Sequence, residues 1–523
     1  MATVTLDNNL EDLRYSADNV QLRGFLSTHH VANFLNIPYA TASVRFRPAT
    51  PLRLYDLPAP YDATQYGPRC PQPEGTLHLT MSHLFEQMSL VHQLAEETTC
   101  LNLNIYAPPS SLSPGPSSKL PVLVWIHGGA FNVGDNTVQF DGNHLVKKSV
   151  EVGQPVIVVA INYRLNLFGS VSSRELADEA KGLGEAHVPN QGLDDQRIAL
   201  QWVQSYIHHF GGDPGKVTLC GESAGAYSVI YHLKGNIPLF QQAMMQSPPL
   251  MPLRTTEEAQ AAFDKLVASA GISVDASSAE KLAALRALST QELIDLFDGS
   301  FSSPIEDPNW FVGYDRDTVH PSTFWADLPS WCPRIILGTT QDETALMLAP
   351  IEDLKTDQAV AFLQMLVSQN PAQASLMART RSKRETITWS TDQMFLNPLK
   401  SLVSAAVTKS PNIGLYTYRI HCPDPFPGPL QGYAWHSYGI PFTFNQPACR
   451  KYPELARMQD NMTPAFLRFL SGYEPWESFN TTRKMMCWTS RGAEMVNAEH
   501  PPVADEQAQE ATVVAKRTET VGA

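Results

Sequence analysis

The sequence predicts an α/β protein with a largely parallel central sheet flanked by helices. Short runs rich in β-branched residues are typical of buried strands, and longer stretches with helical spacing separate them. This repeated alternation of strand and helix favours a parallel sheet, because parallel neighbours need a long crossover connection. The strand-like runs lie at residues 121–126, 155–162, 217–220, 334–337 and 413–420.

Length and composition favour one large domain. The 523 residues are 43% hydrophobic and 17% charged, which allows a large buried core and excludes wholesale disorder. We find no internal repeat in the sequence. We therefore expect a single domain over residues 1–500, followed by a polar C-terminal tail over residues 501–523.

Charge and terminal sequence limit the partners and the location. The net charge of −14 has the wrong sign for a phosphate backbone or an anionic membrane surface, so we expect no nucleic-acid partner. No apolar run approaches the ~18 residues that span a bilayer, which predicts a soluble protein without a membrane span. The N-terminus lacks a basic segment followed by an apolar one. This predicts a cytoplasmic location, or secretion if a signal peptide has been removed.

Cysteine spacing and short motifs indicate no cofactor. The seven cysteines form no C-x-x-C pair, and neither an HExxH nor a P-loop signature occurs. The glycines at 182 and 184 do not form a dinucleotide fingerprint. We therefore expect neither a metal nor a nucleotide cofactor.

One motif follows a predicted strand directly. A helical pattern over residues 195–210 ends at Gly211-Gly212-Asp213-Pro214, and the strand-like run 217–220 comes next. Gly221-Glu-Ser223-Ala-Gly225 is then a G-x-S-x-G in front of a stretch that can form a helix. In this context the motif predicts a nucleophilic Ser223 on a tight strand-to-helix turn whose flanking positions must be small. The alternative is a plain glycine-rich turn.

A second glycine-rich loop follows the run 121–126. It reads His127-Gly128-Gly129-Ala130, where small residues let backbone N–H groups approach a substrate oxygen closely. We expect the oxyanion-binding donors to come from Gly128, Gly129 and Ala130 in this loop and from Ala224 after the serine. Taken alone, the loop could also be an ordinary tight turn.

Together these residues resemble the type-B carboxylesterases, the family of carboxylesterases, cholinesterases and fungal lipases. The resemblance covers about residues 20–490 and implies one α/β-hydrolase fold with helical and loop insertions. It is carried by the two motifs above and by Asn36-Ile-Pro-Tyr-Ala40, Arg45-Phe46, Cys100-Leu-Asn-Leu-Asn-Ile-Tyr106, Asn162-Tyr-Arg164, Asn190-Gln-Gly-Leu-Asp-Asp-Gln-Arg-Ile-Ala-Leu-Gln-Trp202 and Phe210-Gly-Gly-Asp-Pro214.

The resemblance also supplies an acid and a base, in the chain order serine, acid, histidine. Gly338-Thr-Thr-Gln-Asp-Glu-Thr344 resembles the family's G-x-x-x-D-E-G, in which the glutamate is the catalytic acid, so Glu343 takes that role. Asp342 is better explained as a cap of the following helix. Beyond Glu343 the histidines are His421, His436 and His500, and the segment around His436 resembles the family's catalytic-histidine segment.

Some positions depart from the family pattern. Gly439 stands where an acidic residue is common, and Pro248-Pro249 replaces part of a Q-S-G-S run. Thr98-Thr99 replaces a Glu-Asp pair, which leaves Arg45 without its usual partner unless Glu97 substitutes.

The resemblance also implies a disulfide between Cys70 and Cys100. The segment between them carries apolar residues at helical spacing, which indicate core packing or, alternatively, a lid over an apolar cleft. These apolar residues are Met81, Leu84, Phe85, Met88 and Val91.

The leading interpretation is a serine esterase that forms an acyl-enzyme at Ser223 and hydrolyses small-molecule carboxylic esters with a substantial apolar portion. A second hypothesis is a biosynthetic transesterase, in which an alcohol rests on Trp435 and Tyr438 and accepts the acyl group. A third is a cholinesterase-like binding protein without activity, against which the complete set of serine, acid and histidine argues. The sequence leaves the oligomeric state open.

Overall fold

The computed structural model describes most of the chain and orders its strands into one large sheet. The described residues are 3–7, 12–17, 20–74, 82–84, 94–112, 119–249, 252–313, 326–354, 360, 363 and 381–498. Among them, the strands are β1 (Thr3–Asp7), β2 (Asp12–Ala17), β3 (Val20–Leu26), β4 (Ala32–Pro38), β5 (Ala40–Thr41), β6 (Thr50–Pro51), β7 (Tyr61–Asp62), β8 (Asn102–Ala107), β9 (Leu120–Ile126), β10 (Ile157–Ile161), β11 (Gly212–Glu222), β12 (Gln242–Gln246), β13 (Arg334–Thr340), β14 (Gly414–Ile420), β15 (Lys484–Thr489) and β16 (Gly492–Asn497).

The sheet is parallel at its centre and antiparallel at both ends. Its order is β1-β2-β3-β4-β8-β10-β9-β11-β12-β13-β14-β15-β16, with β7 beside β3, while β5 and β6 form a separate pair. Every neighbouring pair from β10 to β15 is parallel. The predicted largely parallel α/β sheet is thus confirmed. The five predicted runs correspond to β9, β10, β11, β13 and β14, although β11 begins at Gly212 rather than at residue 217. The other strands were not among these runs, including the central parallel strand β12 and the antiparallel strands β1–β4.

The central strands are buried on both faces. Along β9, Val122, Val124 and Ile126 join one hydrophobic cluster, whereas Leu123 and Trp125 join another. Successive side chains of a strand point to opposite faces, so these clusters are the two core layers on either side of the sheet. A parallel strand covered in this way has no polar face, which explains its continuous apolar sequence.

Helices cover the sheet, and several begin with a side-chain cap. Ser and Thr residues accept hydrogen bonds from N–H groups of the first turn at four helices that also carry a reciprocal glutamate three residues later. Among the described residues, the α-helices are α1 (Asn143–Glu151), α2 (Asn166–Ser170), α3 (Arg174–Gly182), α4 (Gln191–Tyr206), α5 (Ala224–Lys234), α6 (Thr256–Ser269), α7 (Ser278–Ala287), α8 (Thr290–Asp295), α9 (Ala345–Leu348), α10 (Lys383–Thr391), α11 (Asn397–Lys409), α12 (Ile440–Thr443), α13 (Pro453–Leu470) and α14 (Phe479–Thr482).

Two ion pairs join sequence blocks that are far apart in the chain. Arg164 and Asp195 form a doubly hydrogen-bonded pair, with Nε–Oδ2 and Nη2–Oδ1 both at 2.7 Å, and their side chains are only 4% and 0% exposed. Arg45 binds Glu97 in the same way, with Nε–Oε2 at 2.5 Å and Nη2–Oε1 at 2.6 Å. Glu97 therefore replaces the partner that the threonines at 98 and 99 cannot provide.

The carboxyl ends of the parallel strands determine where functional side chains gather. Ser223 directly follows β11, and the glycine-rich loop follows β9, the strand beside it. Glu343 follows β13, and His436 lies on the loop after β14, the next strand in the sheet. This edge of an open parallel sheet is where ligands bind in such folds.

The sheet also bears on domain organisation. It joins strands from β1 to β16, and for this reason we propose that residues 1–500 form one domain. The predicted boundary at residue 500 and the tail over 501–523 lie outside the described residues.

Asp195→Asn tests the buried ion pair. Loss of the carboxylate charge leaves the Arg164 guanidinium buried without a counter-charge, and we expect a loss of about 3–5 kcal/mol in the free energy of unfolding. Denaturant titration measures the change. Asp56→Asn is the control, because the Arg53–Asp56 pair is exposed and its loss should not be measurable. Equal stability of the Asp195 and Asp56 variants would contradict the prediction.

Candidate active site

Ser223 lies on a sharp turn between β11 and α5. Its backbone has φ 56° and ψ −122°, outside the regions that residues other than glycine normally adopt. Its N–H donates to the Gln246 carbonyl at 2.9 Å, and its side chain is half-buried. A Cβ on Gly225 would clash with the carbonyl of Ile126, and one on Gly221 with the backbone of Gly225. The motif therefore needs both glycines, as a strained elbow does.

The glycine-rich loop lies against this elbow. A Cβ built on Gly128 would be 3.0 Å from the Cβ of Ser223, so the two backbones approach closely. Gly129 has φ +106°, and a Cβ there would clash with the Val133 carbonyl. A residue with a side chain at position 129 would therefore disrupt the turn formed by Gly128, Gly129 and Ala130.

The predicted oxyanion donors lack an acceptor within the described part of the chain. Among the described residues, no carbonyl or side chain accepts a hydrogen bond from the N–H of Gly129, Ala130 or Ala224. Ala224 is the first residue of α5, where a helix leaves its N–H groups without an internal acceptor. Backbone donors in this state at a helix N-terminus favour a negatively charged or polarised oxygen.

Glu343 and His436 are in direct contact. His436 Nδ1 and Glu343 Oε2 are 2.6 Å apart, and both side chains are buried. The other carboxylate oxygen of Glu343 accepts a hydrogen bond from the Thr340 N–H at 2.7 Å, and the His436 N–H donates to the Glu343 carbonyl at 3.2 Å. Both carboxylate oxygens of Glu343 therefore have a partner. The contact with Nδ1 orients the imidazole so that Nε2 faces away from Glu343.

Glu222 is a participant that the sequence analysis missed. Its Oε1 lies 3.2 Å from His436 Nε2 and accepts a hydrogen bond from Ser437 Oγ at 2.6 Å. Because Glu222 directly precedes Ser223, this contact brings the imidazole to the elbow. The only available signal was a carboxylate at the second position of G-x-S-x-G.

The two carboxylates control the charge of the imidazole. Burial lowers the pKa of His436. The Glu222 charge and the hydrogen bond to Glu343 raise this pKa by more than burial lowers it, so it lies above the ordinary histidine value. Burial raises the pKa of Glu222, and His436 and Ser437 offset part of that rise. Protons on Glu222 and His436 are therefore coupled.

Two further residues near this site are His421 and Asp342. His421 follows β14, and burial next to Arg419 lowers its pKa to about 3, which keeps it neutral. Asp342 does not cap the following helix, and that prediction was wrong. Instead its Oδ2 accepts hydrogen bonds from the Ala434 N–H at 3.0 Å and from Arg384 at 3.2 Å. His500 lies outside the described residues.

The aromatic rings beside His436 are buried. Trp435 and Tyr438 are both 0% exposed and lie 5.2 Å apart between ring centroids. Trp435 Nε1 donates to Asp424 at 2.8 Å. The expectation that an alcohol could rest on these rings was wrong, because they pack the interior of the loop.

Cys70 and Cys100 lie side by side. Both are buried free cysteines, with 2.6 Å between their sulfur atoms, so their pairing stays a prediction. Of the apolar stripe between them, only Leu84 lies within the described residues, in a short 3₁₀ turn (Ser82–Leu84).

The described residues hold no group of three or more His, Cys, Asp or Glu side chains arranged to bind a metal ion. In the same part of the chain, no helix has the length and apolar character to cross a membrane.

Similarity over almost the whole chain defines the class of protein. A family model described as the carboxylesterase family matches residues 16–513. The chain belongs to this family, as the resemblance of its motifs implied.

Individual relatives extend the comparison. A para-nitrobenzyl esterase from Bacillus subtilis is 31% identical over 429 residues, which covers 79% of each chain. Lipase 5 from Diutina rugosa is 39% identical over 286 residues. This match covers 50% of the chain and 48% of the lipase, so the chain spans only about half the length of this relative. A solved structure of a thermophilic PNB esterase superposes with a TM-score of 0.73 at 26% identity, covering 95% of this chain and 99% of that one. The α/β-hydrolase fold is therefore confirmed.

Glu222→Gln tests the charge coupling at His436. Loss of the negative charge removes one cause of the raised pKa, so the imidazole loses its proton at lower pH. We expect the acidic limb of the kcat/KM profile, measured with p-nitrophenyl acetate, to move to lower pH. Glu385→Gln, at an exposed helix cap, should leave the limb in place. A limb that stays fixed or moves upward in Glu222→Gln would refute the coupling.

Proposed function

We propose that the protein is a serine esterase that hydrolyses carboxylic esters through an acyl-enzyme at Ser223. The observation that carries this proposal is the arrangement of His436, which contacts Glu343 through Nδ1 and the residue before Ser223 through Nε2. A strained serine elbow, a buried acid and an imidazole that contacts both this acid and the residue before the serine supply the groups that acyl transfer needs.

In the first half-reaction, Ser223 Oγ attacks the ester carbonyl carbon while His436 Nε2 takes the hydroxyl proton. Glu343 keeps the proton on Nδ1 and stabilises the imidazolium that forms. The tetrahedral intermediate then collapses, the bond to the leaving alkoxide breaks, and His436 returns its proton to that oxygen. The alcohol leaves, and the acyl group remains on Ser223.

In the second half-reaction, water attacks the acyl carbonyl and gives a proton to His436. Collapse of the second intermediate breaks the bond to Oγ, releases the acid and returns the proton to Ser223. The N–H groups of Gly128, Gly129, Ala130 and Ala224 hold the oxyanion in both intermediates. In a site of this type one such donor contributes about 3 kcal/mol.

The proposed substrate class rests on the relatives of the chain. We propose a small-molecule ester with a substantial apolar portion, since the chain is similar to a para-nitrobenzyl esterase and to lipases from Diutina rugosa. No cofactor has a role in this mechanism. A cytoplasmic location stays a prediction, as does secretion after removal of a signal peptide.

Transfer of the acyl group to an alcohol is not favoured. The surface proposed for an alcohol acceptor consisted of Trp435 and Tyr438, and both rings are buried. Water needs no such surface. A binding protein without catalytic activity is not favoured either, because binding alone does not require a strained serine near a buried acid and base.

Ser223→Ala tests the nucleophile. We expect loss of turnover and of fluorophosphonate labelling, with residual catalysis a few thousandfold above water at most, from the oxyanion donors and binding. The fold should survive, because the elbow accepts small residues. Ser228→Ala, a buried serine one turn along α5, is the control and should still be labelled. Labelling of the Ser223 variant would contradict the proposal.

Glu343→Gln and Asp342→Asn separate the two adjacent carboxylates. If Glu343 holds the imidazole in the reactive tautomer, its amide variant should lose about 10⁴-fold in kcat. Asp342 contacts backbone and Arg384 rather than His436, so its variant should lose far less. Steady-state kinetics at one pH suffice for the comparison. A larger loss in Asp342→Asn would reverse the assignment.

A further inference from the structure

The residue after Glu343 is tied to a helix that follows about 40 residues later. Thr344 is fully buried, and its N–H donates to Thr391 Oγ1 at 3.2 Å. Its hydroxyl lies 2.7 Å from Ser390 Oγ and 3.2 Å from Thr391 Oγ1, and it donates to the Ile387 carbonyl at 3.0 Å. Thr344 stands where the family segment G-x-x-x-D-E-G ends in glycine, which has no hydroxyl for such contacts.

The same helix reaches the other partner of Glu343. The end of α10 passes into a π-helical turn (Asp392–Leu396), and Phe395 on this turn is buried against His436, with 5.1 Å between ring centroids and 48° between ring planes. One helical element thus contacts both the neighbour of the acid and the ring of the base.

The π-turn explains how one helix does both. In an α-helix, residues five apart lie about 140° apart around the axis. In the π-turn, backbone hydrogen bonds connect residues five apart, as from the Asn397 N–H to the Asp392 carbonyl. Residues five apart therefore lie closer to the same face of the helix than they do in an α-helix. Ser390 and Phe395 are five apart, so the wider turn helps to direct both toward the site.

We propose that Thr344, Ser390, Thr391 and Phe395 are positioning residues that set the geometry between Glu343 and His436. The hydroxyl cluster of Thr344, Ser390 and Thr391 fixes the segment that carries the acid, and Phe395 limits rotation of the imidazole. This inference rests on the proposed roles of Glu343 and His436, and it adds a contribution specific to the threonine at 344.

The mechanism is geometric. Glu343 and His436 belong to loops after two different strands, β13 and β14, and a small displacement of either loop changes their 2.6 Å contact. The hydroxyl cluster is buried, so water cannot replace a lost hydrogen bond without a local opening. Errors of about 1 Å in such an arrangement lower rates by up to about 10²-fold.

The test uses Thr344→Val, Thr391→Val and Phe395→Leu in the full chain, with p-nitrophenyl acetate as substrate. We expect kcat to fall about tenfold or more with KM within about twofold, because substrate binding does not involve these side chains. The acidic limb of the kcat profile should also move to lower pH, since a loosened contact with Glu343 no longer raises the pKa of His436 as far.

Thr344→Ser, which restores the hydroxyl, should recover both kcat and the limb. Thr386→Val is the matched control. Thr386 is buried on the same helix, and its hydroxyl donates to the Ser382 carbonyl at 3.0 Å rather than to the acid segment. The Thr386→Val variant should have a lower melting temperature, with kcat and the acidic limb of its pH profile unchanged.

The outcomes distinguish the two levels of inference. If Glu343→Gln is inactive but the Thr344, Thr391 and Phe395 variants keep the kcat and pH limb of the parent, the positioning proposal is wrong and the proposed function stands. It is also wrong if Thr386→Val changes kcat and the limb as much as Thr344→Val does. If Glu343→Gln keeps full activity, the proposed function itself fails.

Discussion

The contact of β9 and β11 at the elbow is the constraint on which the site depends. Ser223 adopts a backbone conformation that costs about 1–3 kcal/mol in an ordinary residue, and only tight surroundings can maintain it. Those surroundings come from Gly225, which packs on the carbonyl of Ile126, and from Gly128, which packs beside Ser223. Because these contacts join two parallel neighbours at the centre of the sheet, the burial of both sheet faces supports the strain at the serine.

A second constraint is electrostatic. Two buried carboxylates, Glu222 and Glu343, face the two nitrogens of one imidazole. Buried charges persist only when they are paired or hydrogen-bonded. The Thr340 N–H supports one carboxylate and the Ser437 hydroxyl the other. The imidazole is therefore held in a field that favours its positive charge, which also forms during proton transfer from the serine.

The sequence predicted the central fold because parallel strands covered on both faces are short, apolar and separated by helical patterns. The antiparallel strands β1–β4 were missed because the alternation of strand and helix does not extend to them, although β3 itself alternates buried and exposed side chains. The pairing of β4 with β8 also joins segments far apart in the chain. The candidate elbow could be placed because strand, G-x-S-x-G and helix are adjacent in the chain. Glu222 and Ser437 could not be paired from the sequence, because 215 residues separate them.

The contacts around Glu222 also explain a departure from the family pattern, the glycine at position 439. A side chain at Gly439 would begin 3.1 Å from Gln246 Oε1, a buried acceptor to which no described residue donates, so a carboxylate there would face another acceptor. Glu222 has a donor in this loop, because the Ser437 hydroxyl donates to it. Ser437 does so with φ 71°, a conformation rare for residues other than glycine. The hydrogen bond to Glu222 is a reason for the loop to retain a strained serine at this position, since glycine would remove the strain and the donor together.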